Sequence, residues 1–383
     1  MHSPARRDRT VALVRARRYD LDELVCAVDR AIELAGGIES LRSRGNKLLL
    51  KPNMLAGSPP ENAVTTHPVF FEAAAIVFKR HGFTLFAGDA PAIESTSGAG
   101  KRNGLRAAAE RQGVEWCDFS ETVALHNPEG TLVRDFTVAK VFTEVDAVVT
   151  MPKLKTHSQM YYTGALKNMF GAVHGLGKSR FHVRFPEREN FAKMIVDLNA
   201  LLKPDFTLMD AITAMEGPGP QNGTPFDMGL VLASYDPLAL DTIACRAIGC
   251  DPLEIPILRQ AYTRGIWIGS PSEAAAAGED LSSVTRPEFR RIPIVKDILS
   301  AQRILPGWLF DGIRNRIVPR PVFTKKCILC RRCVEICQAG ALTVEEARGK
   351  KRIAVDYGRC IRCYCCHEIC PADAINLSRG FFR

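Results

Sequence analysis

The residues with the most chemistry in them are eight cysteines near the C-terminus, Cys327-x2-Cys330-x2-Cys333-x3-Cys337 and Cys360-x2-Cys363-x2-Cys366-x3-Cys370-Pro371. Two-residue gaps let a tight loop offer three sulfurs to three irons of one [4Fe–4S] cube, and a longer reach brings the fourth sulfur from the other run. The crossover assigns Cys327, Cys330, Cys333 and Cys370 to one cluster, and Cys360, Cys363, Cys366 and Cys337 to the other. Paired zinc ribbons need two Cys pairs separated by a longer spacer, and two complete runs of four do not have that form.

Bacterial two-cluster ferredoxins share this pattern, and two details depart from it. Gln338 follows Cys337 where those proteins place proline. Cys365 lies between two ligand positions, so a shifted ligand set at the second cluster stays open. Gln338 carries an amide that would raise the potential if it reached a cluster sulfur, and is otherwise a surface residue replacing a turn proline.

The 383-residue chain is 46% hydrophobic and 24% charged, enough for two or three globular parts. No apolar stretch reaches the ~18 residues that span a bilayer, which excludes a membrane span. The N-terminus lacks the apolar core of a secretory signal, so the expected compartment is cytoplasmic. Its reducing conditions suit all 13 cysteines. The formal charge of +9 falls toward about +5 once each oxidised cluster contributes about −2. Residues 322–379 hold 11 Lys/Arg and 6 Asp/Glu, a local excess of +5. That excess either compensates cluster charge or forms a docking face for an acidic electron carrier. No aromatic interleaving points to nucleic acid.

The elements that must position this chemistry alternate along residues 1–265. Apolar β-type runs at 10–15, 47–50, 84–87, 114–119, 147–150, 206–209 and 230–233 are interspersed with helical patterns at 22–34, 68–80, 105–112, 191–202 and 237–248. This alternation predicts an α/β domain with a largely parallel sheet and flanking helices. Asp20, Asp236 and either Thr66 or His67 are the expected helix starts. Residues 266–321, with apolar pieces at 292–299 and 308–317, read as a connector packed between domains. Residues 322–379 form a small α+β ferredoxin-like domain.

In the α/β part, polar residues follow the apolar strands. Lys51-Pro52-Asn53, Lys153-Leu154-Lys155-Thr156-His157, Asp210 with Glu216-Gly217-Pro218-Gly219-Pro220, and Asp236 with Asp241 each trail such a run. Open α/β sheets bind ligands beyond the carboxyl ends of their strands, so these residues are expected to converge on a cleft suited to an anionic small molecule. His174-Gly175-Leu176-Gly177-Lys178-Ser179 approaches a P-loop but has Ala172 where the motif needs glycine. Gly217-x-Gly219-x3-Gly223 fails the dinucleotide fingerprint. No recognisable NAD, flavin or ATP site is present.

Lys51-Pro52-Asn53, Thr66-His67-Pro68, Lys153-Leu154-Lys155-Thr156-His157, Thr163-Gly164-Ala165-Leu166-Lys167-Asn168, Glu216-Gly217-x-Gly219 and Asp236-x4-Asp241 together resemble the DUF362 family. The resemblance covers about residues 10–265 and implies no particular reaction, since the family is named for an undefined function. It implies His67, Lys155, His157, Lys167, Asn168 and His182 as site candidates.

The leading expectation is an oxidoreductase in which a ferredoxin or flavodoxin reduces two [4Fe–4S] clusters that pass electrons to an anionic substrate. His157, His174 and His182 are the candidate acids. Lys51, Lys153, Lys155 and Lys167 would hold negative charge. Asp210, Glu216, Asp236 and Asp241 would orient these groups or bind a divalent metal with His67. The alternatives are an electron-transfer subunit that docks another enzyme, and a non-redox enzyme or sensor with structural clusters.

Overall fold

The computed structural model describes residues 9–294, 317–347 and 349–379. They form two compact units: one comprises the described residues up to Gly175 with Ala192–Ile292, the other Leu176–Phe191 with the described residues from Pro293 onward. This division differs from the sequence segments. Residues 176–191, expected within 1–265, group with the cysteine-rich end, and 266–292, expected in the connector, group with the α/β part. The rest of the expected connector, 295–316, lies outside the described residues.

The first unit is built on a 10-stranded sheet. Its elements in chain order are β1 (Thr10–Arg15), α1 (Leu21–Leu34), β2 (Lys47–Pro52), α2 (Pro68–Arg80), β3 (Thr84–Ala87), β4 (Glu115–Trp116), β5 (Ala147–Met151), β6 (Lys153–His157), β7 (Tyr161–Thr163), β8 (Phe206–Glu216), β9 (Thr224–Ser234), α3 (Pro237–Ala247) and β10 (Ala275–Gly278). The strand order is β10-β1-β9-β8-β5-β2-β3-β4, with β6 pairing β8 and β7. Pairing is parallel from β8 through β5, β2 and β3 to β4. It is antiparallel where β9 meets β8 and β1. The α/β class and the mostly parallel sheet agree with the sequence reading.

The alternating pleat explains why β2 and β5 are apolar on both sides. Leu48, Leu50 and Val149 join the large core that includes Leu24, Val28, Phe70, Phe71 and Phe78 of α1 and α2. Leu49 and Val148 point the other way, into a core with Phe119, Val141 and Met169. Asp20 caps α1, His67 rather than Thr66 caps α2, and Asp236 caps α3, each side chain accepting from a first-turn backbone N–H.

Three expected strands differ in extent. The run at 114–119 pairs only over Glu115–Trp116, at the sheet edge. The runs at 206–209 and 230–233 extend to 206–216 and 224–234, because they form one long hairpin whose ladder continues past the apolar stretch. Asp210 therefore lies inside a strand, and Glu216-Gly217 begins the hairpin turn, where Gly217 takes φ 74°. Lys153–His157 is likewise a strand rather than a loop. Pro152 lacks an N–H, so the chain leaves β5 there and pairs anew with β8.

The second unit repeats a strand–cysteine loop–helix–strand plan. Its elements are α4 (Gly177–Arg184), β11 (Arg320–Phe323), α5 (Arg332–Ile336), β12 (Leu342–Ala347), β13 (Lys350–Val355), α6 (Cys365–Glu368) and β14 (Ile375–Ser378). β11 pairs β14, and β12 pairs β13, both antiparallel. Cys333, Leu342, Ile353, Cys366 and Ile375 form its small core. This is the α+β ferredoxin-like part expected from the cysteine runs.

Candidate functional site

The cysteine loops are built alike. Leu329 and Arg331 in the first, and Arg362 and Tyr364 in the second, hold left-handed backbones with φ of 56°, 64°, 59° and 64°. Each costs a non-glycine residue roughly 1–2 kcal/mol. Left-handed residues interleaved with the ligand positions turn backbone N–H groups toward a concavity, the form of nest that cradles anionic iron–sulfur clusters. Ala341 N–H donates to Cys337 Sγ and Ala374 N–H to Cys370 Sγ, both at 3.3 Å.

The thiols crowd in crossed sets. Burial pushes the Cys333 thiol up to about 12, and the neighbours adding to that rise are Cys330, Cys327 and Cys370. Cys366 is raised by burial, then by Cys363, Cys360, Cys333 and Cys337. Thiols packed so closely resist ionising together, so the arrangement suits a centre whose iron supplies compensating positive charge. The donor set therefore fits iron–sulfur clusters. The second set lines a cavity with Ser179 and Val183 of α4. The buried Cys365 thiol hydrogen-bonds Cys363 and holds it below the usual thiol range. Gln338 is exposed, at the place Pro371 occupies in the second run.

In the α/β unit, the three strand lysines are interior. Lys51, Lys153 and Lys155 are 0%, 1% and 1% exposed. Lys51 Nζ pairs with Asp89 at 2.8 Å and donates to the Asn168 carbonyl at 2.7 Å. Lys155 Nζ donates to Asn53 Oδ1 and the Val64 carbonyl, both at 2.7 Å. Asn53 Nδ2 donates to Asn168 Oδ1 at 3.1 Å, and Asn168 Nδ2 to Thr150 Oγ1 at 2.9 Å. Lys51, Asn53, Asp89, Lys155 and Asn168 are thus one network.

A second network surrounds Asp210. Lys153 Nζ donates to Asp210 Oδ2 at 2.9 Å and to Tyr19 Oη at 2.7 Å, and Tyr19 Oη donates to Asp210 Oδ1 at 2.9 Å. His67 N–H donates to Asp210 Oδ2 at 2.9 Å, and its ring stacks on Tyr19 at 3.5 Å. Lys153 and Lys155 are two apart on β6, so both side chains leave the same face. Burial lowers the lysine ammonium of Lys51 and of Lys153 from its ordinary range, opposed by Asp89 and Asp210. Burial, with the Lys153 charge, lowers His67 to about 4.

The remaining candidates are placed apart from these networks. His157 is buried, and its Nδ1 accepts from Gln159 and Met160 N–H at 3.2 and 3.3 Å, bracing the turn into β7. Lys167 lies over the Phe170 ring at 5.5 Å. His174 is exposed. His182 belongs to the second unit and stacks on Phe191 at 4.3 Å. Glu216 binds Arg290. Asp241 accepts from Tyr162 Oη and from Ala165 and Leu166 N–H, and burial raises its carboxyl to about 7. Asp236 accepts from Leu238, Ala239 and Ile268 N–H.

The sequence reading missed Asp89 and Tyr19. Asp89 follows the apolar run of β3 by one glycine, so the strand-end rule that selected Lys51 also selects it. Tyr19 had no signal, since its partner Asp210 is remote in the chain. Two glycines beside these networks have a steric reason. A Cβ at Gly171 would sit 1.8 Å from Asp89 Oδ1, and one at Gly164 2.1 Å from Asp241 Oδ1. Both glycines admit a buried carboxylate against the backbone.

Comparison with known proteins accords with these features. Residues 48–246 match the family described as domain of unknown function DUF362, and residues 326–374 match a 4Fe-4S dicluster domain. The thylakoid-associated protein sll1697 of Synechocystis sp. (strain ATCC 27184 / PCC 6803 / Kazusa) is 31% identical over 259 residues, spanning 67% of this chain and 80% of that protein. Among solved structures, the lactate racemase apoprotein of Thermoanaerobacterium thermosaccharolyticum is 12% identical with a TM-score of 0.37, covering 58% of this chain and 54% of that one. A Thermotoga maritima protein is 11% identical with a TM-score of 0.33, covering 55% of each chain. This chain spans only about half the length of those two structures. Among the described residues, no helix is long and apolar enough to cross a membrane. With its glycines, lysines and strand-end carboxylates knit as described, the chain belongs to the DUF362 family and carries a C-terminal 4Fe-4S dicluster ferredoxin domain.

Proposed function

We propose that this protein is an electron-transferring oxidoreductase that receives single electrons from a ferredoxin or flavodoxin and delivers them to an anionic small molecule at the α/β unit. Cys327, Cys330, Cys333 and Cys370 would hold one [4Fe–4S] cluster, and Cys360, Cys363, Cys366 and Cys337 the other. The observation that carries this reading is the doubled cysteine loop, left-handed at matching positions, with its thiols crowded in crossed sets. The clusters supply low-potential electrons one at a time.

The protein's own residues supply protons and orientation. A buried lysine with a lowered pKa gives up a proton more readily than a solvated one, which suits Lys153 as a donor. Tyr19 and Asp210 hold that ammonium in place. His67 is neutral above about pH 4 and so contributes a hydrogen bond rather than a charge. A reducing, cytoplasmic compartment suits the cluster thiolates, and the thylakoid-associated relative adds a version held at a membrane face.

A second reading, an electron-transfer subunit for another enzyme, is favoured by the lysines themselves. Lys51, Lys153 and Lys155 direct their charge to internal partners, leaving less for a ligand. Anaerobic purification with iron and sulfide analysis, then EPR before and after dithionite, tests the clusters. Near 8 irons per chain is the expected yield for two cubes. Adding carboxylate metabolites to the reduced protein separates the readings: re-oxidation by one class supports the reductase, and none at all supports the subunit. Lys153→Ala, which removes the proposed proton donor, is expected to abolish turnover with the cluster spectrum intact. Unchanged turnover would remove Lys153 from the site.

A further inference from the structure

The two cysteine loops are alike in backbone but differ in cover. Around the first loop, Lys325, Lys326, Ile328, Cys330 and Arg331 are all exposed, and Ile328 reaches 66% exposure, the highest of the exposed large apolar residues among those described. Around the second, Arg362, Tyr364, Cys365 and Cys366 are buried, and Ser179 and Val183 of α4 wall its cysteine cavity. An isoleucine held in water beside two cluster ligands costs stability that a partner could recover by covering it.

Beside the first loop runs an open groove that reaches Cys327. Phe323, Leu329, Val355 and Tyr357 supply apolar lining, and Lys325, Lys350 and Lys351 supply charge. Among the described residues, neither Lys325, Lys350 nor Lys351 takes part in an ion pair. Arg352 is compensated by Glu345 at 3.3 Å, and Lys326 by Asp373 at 3.4 Å. Three cations without an ion pair thus line the groove on the side of Cys327. Apolar lining inside a cationic rim is the complement of a small acidic protein that exposes its redox group.

The geometry points to the groove at Cys327, rimmed by Lys325, Lys350 and Lys351 and flanked by Ile328, as the docking surface for an acidic flavodoxin- or ferredoxin-type carrier. Electrons therefore arrive at the cluster of the first run, while the second run's cluster is enclosed behind α4. This deepens the proposed function and rests on its clusters. Each encounter moves one electron, oxidising the carrier by one and reducing the protein by one.

The test uses the full holoprotein and flavodoxin hydroquinone. The triple variant Lys325→Glu/Lys350→Glu/Lys351→Glu is mixed with it in stopped flow at several salt concentrations, and flavodoxin binding is measured separately by calorimetry. The bimolecular rate is expected to fall at least about tenfold at low salt and to lose its decline with ionic strength, since steering contributes about 10- to 1,000-fold to such rates. Reduction by dithionite and the EPR spectrum remain as in the wild type. Ile328→Ser is expected to weaken binding with the salt dependence retained. Carrier rates within twofold of wild type would overturn the docking surface. So would rates that hold while binding to anionic-lipid vesicles is lost, which would assign the patch to a membrane surface. A wild-type protein that dithionite reduces but flavodoxin does not would overturn the surface and leave the clusters standing. A protein without iron and sulfide would sink the reading beneath it.

Discussion

Removing the Lys51 ammonium is the sharpest probe of the α/β unit. Lys51 is fully buried, and Asp89 is 4% exposed at its side chain, so their 2.8 Å pair is shielded from solvent. In Lys51→Met, Asp89 would keep the Met54 N–H at 2.7 Å but lose its counter-charge. Breaking a buried pair from one side costs about 3–5 kcal/mol, because the remaining charge is left uncompensated. With a urea slope of about 2–3 kcal/mol/M, the midpoint would fall by about 1–2.5 M with the slope unchanged. Lys51→Met/Asp89→Leu removes both charges and is expected to recover most of the loss. Urea unfolding by circular dichroism at pH 7.5 measures all three proteins. A loss under about 1 kcal/mol in Lys51→Met, the range of exposed pairs, would refute the argument.

Other perturbations test other parts of the structure. Gly171→Ala drives a methyl into Asp89 and Lys51, so it should lower stability by about 1–3 kcal/mol in urea unfolding. His67 has a folded pKa near 4 against an unfolded value near 6.5, so the unfolded state binds more protons between them. Stability should therefore fall on acidification through that window, by about 1–2 kcal/mol after discounting for its partial exposure. His67→Asn keeps an N-cap acceptor and should flatten that slope in urea titrations between pH 4 and 7. Cys363→Ala should remove roughly half of ~8 irons. Cys365→Ala should keep the iron but lower one cluster's potential in redox-poised EPR, since a hydrogen bond to a ligand sulfur would be lost. Iron loss in Cys365→Ala equal to that in Cys363→Ala would instead make Cys365 a ligand.

The cysteine runs were legible because a cluster's ligands sit within a few residues of one another, so local spacing carries the chemistry. The buried strands were legible for a similar reason. Leu48-Leu49-Leu50 and Val148-Val149 are apolar on both faces, and only a covered sheet takes such runs. Helix starts at Asp20, His67 and Asp236 also follow from local capping. What the lysines do is another matter. Lys51, Lys153 and Lys155 read as cations at strand ends, facing a ligand. The fold closes them against Asp89, Asp210 and Asn53 instead, through contacts between strands far apart in the chain. Lys153 and Lys155 lie in a strand because Pro152 ends one ladder and the long hairpin of β8 and β9 offers another. Residues 176–191 group with the cysteine-rich unit although their sequence follows the α/β motifs. Ligand spacing and strand hydrophobicity are written over a few neighbouring residues. Charge pairing, burial and which unit a segment joins depend on side chains that only tertiary packing brings together.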